Sequence, residues 1–168
     1  MPGYVVHVAI AQEYLKKQKK EYSKEFIDGV IYPDLVSEKS KTHYGKSPAY
    51  TSLSEFLKVN NIDTEFNKGH FLHIVTDYLF YNYYLEKLEK PQIFDDYDYT
   101  NKFLIEKYNV ILPDKVKDKV FFKEGEPKLL TYQLACKVID DISNLNLEKI
   151  KEEVMNNDQK WNIYKKLV

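Results

Sequence analysis

Residues 64–90 read TEFNKGHFLHIVTDYLFYNYYLEKLEK, and this stretch decides the fold. Its middle carries apolar residues almost all round a helical period instead of along one stripe, which is typical of a helix buried on every side. Asp63 or Thr64 can cap its beginning, and Pro91 closes it. We therefore predict one long, central helix over about 64–90.

Helical spacing of apolar residues continues on both sides of this segment. It predicts earlier helices over about 5–19, 23–32 and 51–59, the second capped by Ser23 and ended by Pro33. The polar residues 34–49 are predicted to form a loop. Later helices are expected over about 94–109, 129–143 and 147–167. The prediction is an all-α protein, a compact bundle of about five to seven helices in a single domain, 1–168, around the central helix.

Composition excludes several classes of protein. The 168 residues contain 25 Lys+Arg, all of them Lys, and 26 Asp+Glu, so the net charge is −1. This balance argues against stable binding of double-stranded nucleic acid. Because the chain has no Arg, the positive charge needed to bind a phosphate group must come from Lys or from a metal. Residues 1–7 lack the basic and apolar regions that are typical of a signal sequence, and no apolar run reaches the roughly 18 residues of a membrane span. We expect a cytoplasmic protein without a transmembrane segment, whose oligomeric state stays open.

The central helix carries a candidate half-site for a metal. His73 and Asp77 are four residues apart, so their side chains lie one turn apart on the same face and can reach one cation. His70 lies one turn earlier on nearly the same stripe, without an assigned role. The alternative is that His73 and Asp77 form a hydrogen-bonded pair that satisfies itself in the core.

Three further residues could complete such a site. Asp34 directly follows the proline that is predicted to end the second helix, and His43 lies nine residues later in the predicted loop. Both could fold over the helix-borne pair to make four N/O ligands, although for each residue alone a Pro-Asp turn or a surface histidine is the better interpretation. His7 begins the first helix among apolar neighbours, where it is either a ligand or a core histidine.

The order of these residues resembles that of a known family. His7 is followed by FIDGVIYPD (26–34), THY (42–44) and GHFLHIVTD (69–77). This series is similar to the zinc-dependent phospholipase C family, whose fold is shared with secreted zinc nucleases that cut single strands. The resemblance covers residues 5 to about 85, roughly half of the chain.

The resemblance implies a ligand set. Asp34, His43, His73 and Asp77 would hold one metal ion, and Asp77 would bridge to a second ion that His7 also binds. The family's third site uses His and Glu residues further along, but this chain has no His after His73. One or two Zn²⁺ ions are therefore expected, with Fe or Mn as alternatives.

The implied activity is hydrolysis of a phosphoester, with a phosphodiester favoured, through a metal-activated water. Asp34 is also the candidate catalytic residue, because it could orient or deprotonate the attacking water. The substrate would be a small-molecule or lipid phosphoester, with a small molecule ranked first. The alternative is a non-catalytic helical protein with a structural or vestigial metal site. The acidic cluster at 94–98 is expected to be a solvated helix start.

Overall fold

A computed structural model describes residues 3–165 of the protein. This part of the chain is compact and helical, without strands, so the all-α prediction is confirmed. Its nine α-helices are α1 (Tyr4–Lys17), α2 (Lys24–Leu35), α3 (Lys39–His43), α4 (Leu53–Val59), α5 (Glu65–Leu79), α6 (Gln92–Tyr108), α7 (Asp114–Lys117), α8 (Tyr132–Ile142) and α9 (Leu147–Met155).

Helix α5 is the centre of the bundle. The Thr64 side chain caps it by accepting a hydrogen bond from the N–H of Asn67, and every residue in 69–79 is buried. The α-helix ends at Leu79, and a π-helical segment, Phe80–Tyr84, follows directly. The predicted extension to about residue 90 is wrong, because residues 86–90 are mostly charged and exposed and offer little apolar surface for helix packing.

Helices α2 and α5 pack directly against each other through two glycines. A Cβ atom on Gly29 would lie 2.0 Å from the carbonyl oxygen of Phe66, and one on Gly69 would lie 2.1 Å from the carbonyl oxygen of Phe26. No side chain larger than hydrogen fits at either position without moving a backbone. This close approach brings the end of α2 beside the middle of α5.

Three predicted boundaries differ from the structure. Helix α2 continues through Pro33 to Leu35, because the fixed φ of proline is itself helical and costs only one hydrogen bond near the end of a helix. Residues 34–49 are not simply a loop, since they contain α3 and the start of a 3₁₀ turn, Pro48–Tyr50. Helix α9 ends at Met155, where Asn157 adopts a left-handed backbone conformation (φ 56°). The final residues of the predicted 147–167 helix, 166 and 167, lie outside the described part.

The acidic cluster at 94–98 is not fully solvated, contrary to the prediction. Asp96 is completely buried, and its carboxylate accepts hydrogen bonds from the backbone N–H groups of Lys128, Leu129 and Leu130. The amide of Gln92 donates a further one at 2.7 Å. These bonds tie the irregular segment before α8 to α6, so the carboxylate has a structural role.

Within residues 3–165, none of the helices combines the length and the apolar character that crossing a membrane would require.

Candidate metal centre

The structure brings together the five residues that the sequence singled out. His73 and Asp77 project from the middle of α5, Asp34 lies in the last turn of α2, and His43 is the last residue of α3. His7 lies in the first turn of α1. The side chains of His43, His73 and Asp77 are 0% exposed, whereas that of Asp34 is 10% exposed.

The side chains of four residues converge on one point, which is called the convergence point below: Asp34, His43, His73 and Asp77. The Nε2 atoms of His43 and His73 are 3.2 Å apart, and they lie 3.0 Å and 3.3 Å from Oδ2 of Asp77. Oδ1 of Asp34 lies 3.6 Å from the first nitrogen and 3.7 Å from the second. Four ligands around zinc at about 2.0–2.1 Å would be separated by about 3.3 Å. The observed separations therefore suit a single cation, and these residues could hold a metal ion.

The hydrogen bonds of the two imidazoles determine which nitrogen faces this point. Nδ1 of His43 lies 3.0 Å from the carbonyl oxygen of Lys39, and Nδ1 of His73 lies 2.7 Å from that of Val30. A carbonyl can only accept, so each Nδ1 carries a proton and donates it. When both rings are neutral, each Nε2 atom therefore carries a lone pair that points towards the other Nε2 atom and towards the carboxylate of Asp77. Such a group of acceptors is favourable only with a proton or a metal cation among them.

The electrostatics of Asp77 agree with this arrangement. Complete burial by itself would raise its pKa. Interactions that include the imidazoles of His73, His43 and His7 nevertheless hold the pKa of Asp77 well below its usual range. The buried side chain is thus an anion at neutral pH, which is the form that ligates a metal.

His7 lies on the other side of Asp77. Its ring stacks on that of His73, with centroids 3.8 Å apart, and its Nε2 lies 3.1 Å from Oδ1 of Asp77. Neither ring nitrogen of His7 makes a hydrogen bond of regular geometry within residues 3–165, so the contact with Asp77 is a close approach of two donor residues. Burial and the neighbouring His73 lower the pKa of His7 to about 3, so the ring is neutral. His7 and Asp77, together with His73, thus form a second group of donor residues whose ligand atoms all lie within 4.8 Å of one another and which could hold a metal ion.

Backbone-directed hydrogen bonds hold the two ligands that lie outside α5. The hydroxyl of Thr42 donates to the carbonyl of Pro33 at 2.9 Å, which links the residue before His43 to the residue before Asp34. Thr51 donates its hydroxyl to the carbonyl of His43 at 2.7 Å.

His70 belongs to this supporting layer, a role that the sequence did not assign. Its Nε2 donates to the carbonyl of Thr42 at 2.8 Å. The ring packs edge-on against Phe56. Burial lowers the pKa of His70 to about 4, so the side chain is neutral and acts on α3 instead of on the convergence point.

A cleft opens beside Asp34, the most exposed of the four converging side chains. It has a volume of about 350 Å³, and its walls include Lys39, Phe94, Tyr97 and Phe121. Lys39 donates to the backbone carbonyl of Asp34, and its Nζ lies 3.9 Å from Oδ1 of that residue. Of the four converging residues, Asp34 is the one that lines this cleft.

Two residues in the far wall of this cleft, Tyr97 and Phe121, could not be identified from the sequence. Tyr97 belongs to the segment that was expected to be solvated, and Phe121 lies in an irregular stretch without helical periodicity. No spacing relative to the histidines marks either residue. Tyr97 reaches the cleft on α6, which packs against α1, and Phe121 reaches it from the irregular stretch, where its carbonyl accepts a hydrogen bond from Asn101 of α6.

No family model, curated protein or solved structure matches the chain. The resemblance to the zinc-dependent phospholipase C family therefore stays a prediction that rests on the order of the residues.

Proposed function

We propose that the protein is a metal-dependent hydrolase that cleaves a phosphoester, with a phosphodiester favoured, by means of an activated water. One observation carries this proposal: two imidazole lone pairs and a buried carboxylate converge within 3.0–3.3 Å of one another, directly beside a cleft. Elsewhere in a core, such acceptors would repel one another and would be costly to bury.

Zinc suits this donor set, because it accepts imidazole nitrogen and carboxylate oxygen in tetrahedral geometry. When bound, it would lower the pKa of a water molecule towards neutrality and would polarise a phosphoryl oxygen. His43, His73 and Asp77 would hold it, while the carbonyls of Lys39 and Val30 keep both rings oriented.

Asp34 has a different position from the other three ligands. Its carboxylate is further from both imidazoles, at 3.6 Å and 3.7 Å, and it faces the cleft. Catalytic zinc sites characteristically have three protein ligands and a fourth position for water. Asp34 would orient that water and accept its proton, and Lys39 would attract the anionic substrate to the same edge.

A structural metal site is the second candidate function. The observation that favours it is the complete burial of His43, His73 and Asp77, since structural zinc sites are closed by protein ligands. In this case Asp34 would be a permanent fourth ligand that leaves no position for water.

The first experiment tests metal binding. The purified protein is loaded in turn with Zn²⁺, Mn²⁺ and Fe²⁺, and bound metal is measured by elemental analysis. We expect about one equivalent of zinc in the wild type and almost none in His73→Ala. The matched control is His70→Gln, which changes a buried histidine one turn away. The glutamine amide can replace the ring N–H as the donor to the carbonyl of Thr42, so this variant should keep its metal. Failure of the wild type to bind any metal would refute both candidate functions.

The second experiment separates the hydrolase from the structural site. Zinc-loaded protein is assayed with bis(4-nitrophenyl) phosphate and with 4-nitrophenyl phosphate. Under the proposal, Asp34→Asn keeps bound zinc but loses about 10²-fold or more in turnover, as expected for loss of a general base. A zinc-loaded wild type that cleaves neither ester would support the structural site and contradict the hydrolase.

A further inference from the structure

Tyr97 presents a buried hydroxyl that the structure leaves unexplained. Its Oη is inaccessible to solvent and has no hydrogen-bond partner within residues 3–165. The residue itself is only 7% exposed, and it lines the cleft beside Asp34 and Lys39. Burying a hydroxyl without a partner costs about 1–3 kcal/mol, so such a group in a native cleft indicates a partner that binds there.

The surroundings of this hydroxyl make it a hydrogen-bond donor. Burial, Tyr81 and the carboxylates of Asp77 and Asp34 raise its pKa well above the ordinary tyrosine value, so it keeps its proton. The position of the Tyr97 hydroxyl is well defined, because the ring packs against the backbone at Gly3. In addition, the preceding residue, Asp96, fixes α6 to the segment before α8 through its hydrogen bond from Leu129.

Donors are scarce around the convergence point. His43, His73, Asp77 and Asp34 all direct acceptor atoms at it. The chain contains no Arg, and among the side chains lining the cleft, Lys39 is the ammonium group placed beside Asp34. Lys119 and Asp98 also line the cleft. Beside Asp34, a ligand with negatively charged oxygens would meet two donors of different kinds, the ammonium of Lys39 and the hydroxyl of Tyr97.

We propose that the Tyr97 hydroxyl binds an anionic oxygen of the substrate, and that the substrate is a compact tetrahedral oxyanion ester with an apolar, preferably flat, group attached. This inference rests on the proposed function. The apolar group would lie against Phe94 and Phe121, which flank the cleft and are 39% and 60% exposed. A volume of about 350 Å³ suits such a small ligand.

The test measures binding, not turnover. Inorganic phosphate and phenyl phosphate are titrated calorimetrically into zinc-loaded wild type, Tyr97→Phe, Phe121→Ala and the control Tyr14→Phe. Tyr14 is equally buried and stacks on Phe26 in the core, so its replacement removes a comparable hydroxyl elsewhere. Zinc content and thermal unfolding are recorded for each variant.

We expect Tyr97→Phe to keep zinc and to bind both ligands about tenfold more weakly, as for loss of a hydrogen bond to a charged group. Phe121→Ala should weaken phenyl phosphate about fivefold and leave inorganic phosphate unchanged, and Tyr14→Phe should match the wild type. Unchanged phosphate affinity in zinc-loaded Tyr97→Phe would overturn this inference alone. A change in zinc affinity without a change in phosphate affinity would also overturn it, because Tyr97 would then support the metal site. A wild type without zinc would refute the proposed function itself.

Discussion

Replacing Gly69 with alanine tests whether the contact between α2 and α5 supports both the fold and the site. In an ordinary helix interior, Gly→Ala stabilises by about 1 kcal/mol. Here the new Cβ would lie 2.1 Å from the carbonyl oxygen of Phe26 and 2.9 Å from the backbone nitrogen of Val30. Heavy atoms essentially never approach a Cβ within 3.0 Å, so α2 must recede by about 1 Å.

The magnitude follows from what this displacement disrupts. Forcing extra atoms into a packed core typically costs 1–3 kcal/mol, and here the obstacle is backbone on a second helix. Because the obstacle is backbone, we take the upper end of this range, about 3 kcal/mol; after subtraction of the propensity gain of about 1 kcal/mol, we expect Gly69→Ala to lower the free energy of unfolding by about 2 kcal/mol. The 2.7 Å hydrogen bond from His73 Nδ1 to Val30 crosses the same interface. Zinc affinity should therefore fall about 10-fold to 100-fold, as for loss of a ligand's orienting partner.

The assay is urea denaturation of the metal-free protein, followed by competitive zinc titration. Gly125→Ala is the matched control, because its new Cβ would meet the side chain of Tyr99, which can move, and no backbone. We expect the control to change stability by less than about 1 kcal/mol. If Gly69→Ala is as stable as the wild type, the two helices are not held in direct contact and the reasoning is refuted.

Three further changes have expected outcomes. Between pH 6.5 and about 4, His70 stays neutral in the folded state, whereas it binds a proton in the unfolded chain. Lowering the pH through this range should therefore reduce the unfolding free energy of the wild type by about 3 kcal/mol more than that of His70→Gln, as measured by urea unfolding at each pH. Equal pH dependence of the unfolding free energy in the two proteins would contradict this. Thr42→Val removes the hydroxyl that donates to Pro33 and should weaken zinc binding about tenfold in a competitive titration, and an unchanged affinity would show that this bond does not position the ligands. Asp96→Asn removes the carboxylate that accepts hydrogen bonds from the N–H groups of residues 128–130. It should lower the unfolding free energy by about 3 kcal/mol without changing the zinc stoichiometry. A decrease below about 0.5 kcal/mol would refute the structural role of Asp96.

Local patterns predicted those parts of the protein that depend on local interactions. The caps at Ser23 and Thr64 and the helical spacing after them are properties of neighbouring residues, so α2 and α5 could be placed from the sequence. The pairing of His73 with Asp77 follows in the same way from four-residue spacing on one helix. Where the prediction was wrong, as for the end of α5, the outcome depended on whether a segment found a surface to pack against.

The convergence of Asp34 and His43 on α5 could be expected only from the resemblance in residue order, since no local pattern brings two separated residues to a helix. In the structure it depends on Gly29 and Gly69, which let α2 approach α5. It also depends on Thr42, which links the ends of α2 and α3.

By itself, the sequence determined the helical class, the central buried helix and the pairing of His73 with Asp77 on it, because each arises from interactions within a few residues. Only the tertiary structure decided which imidazole nitrogens face the convergence point and that Tyr97 lines the cleft. The physical reason is that the carbonyls of Lys39 and Val30 fix the ring tautomers. Tyr97 and Asp34 line one cleft because α6 packs near the start of α1. Contacts between residues so distant along the chain exist only once the helices have packed.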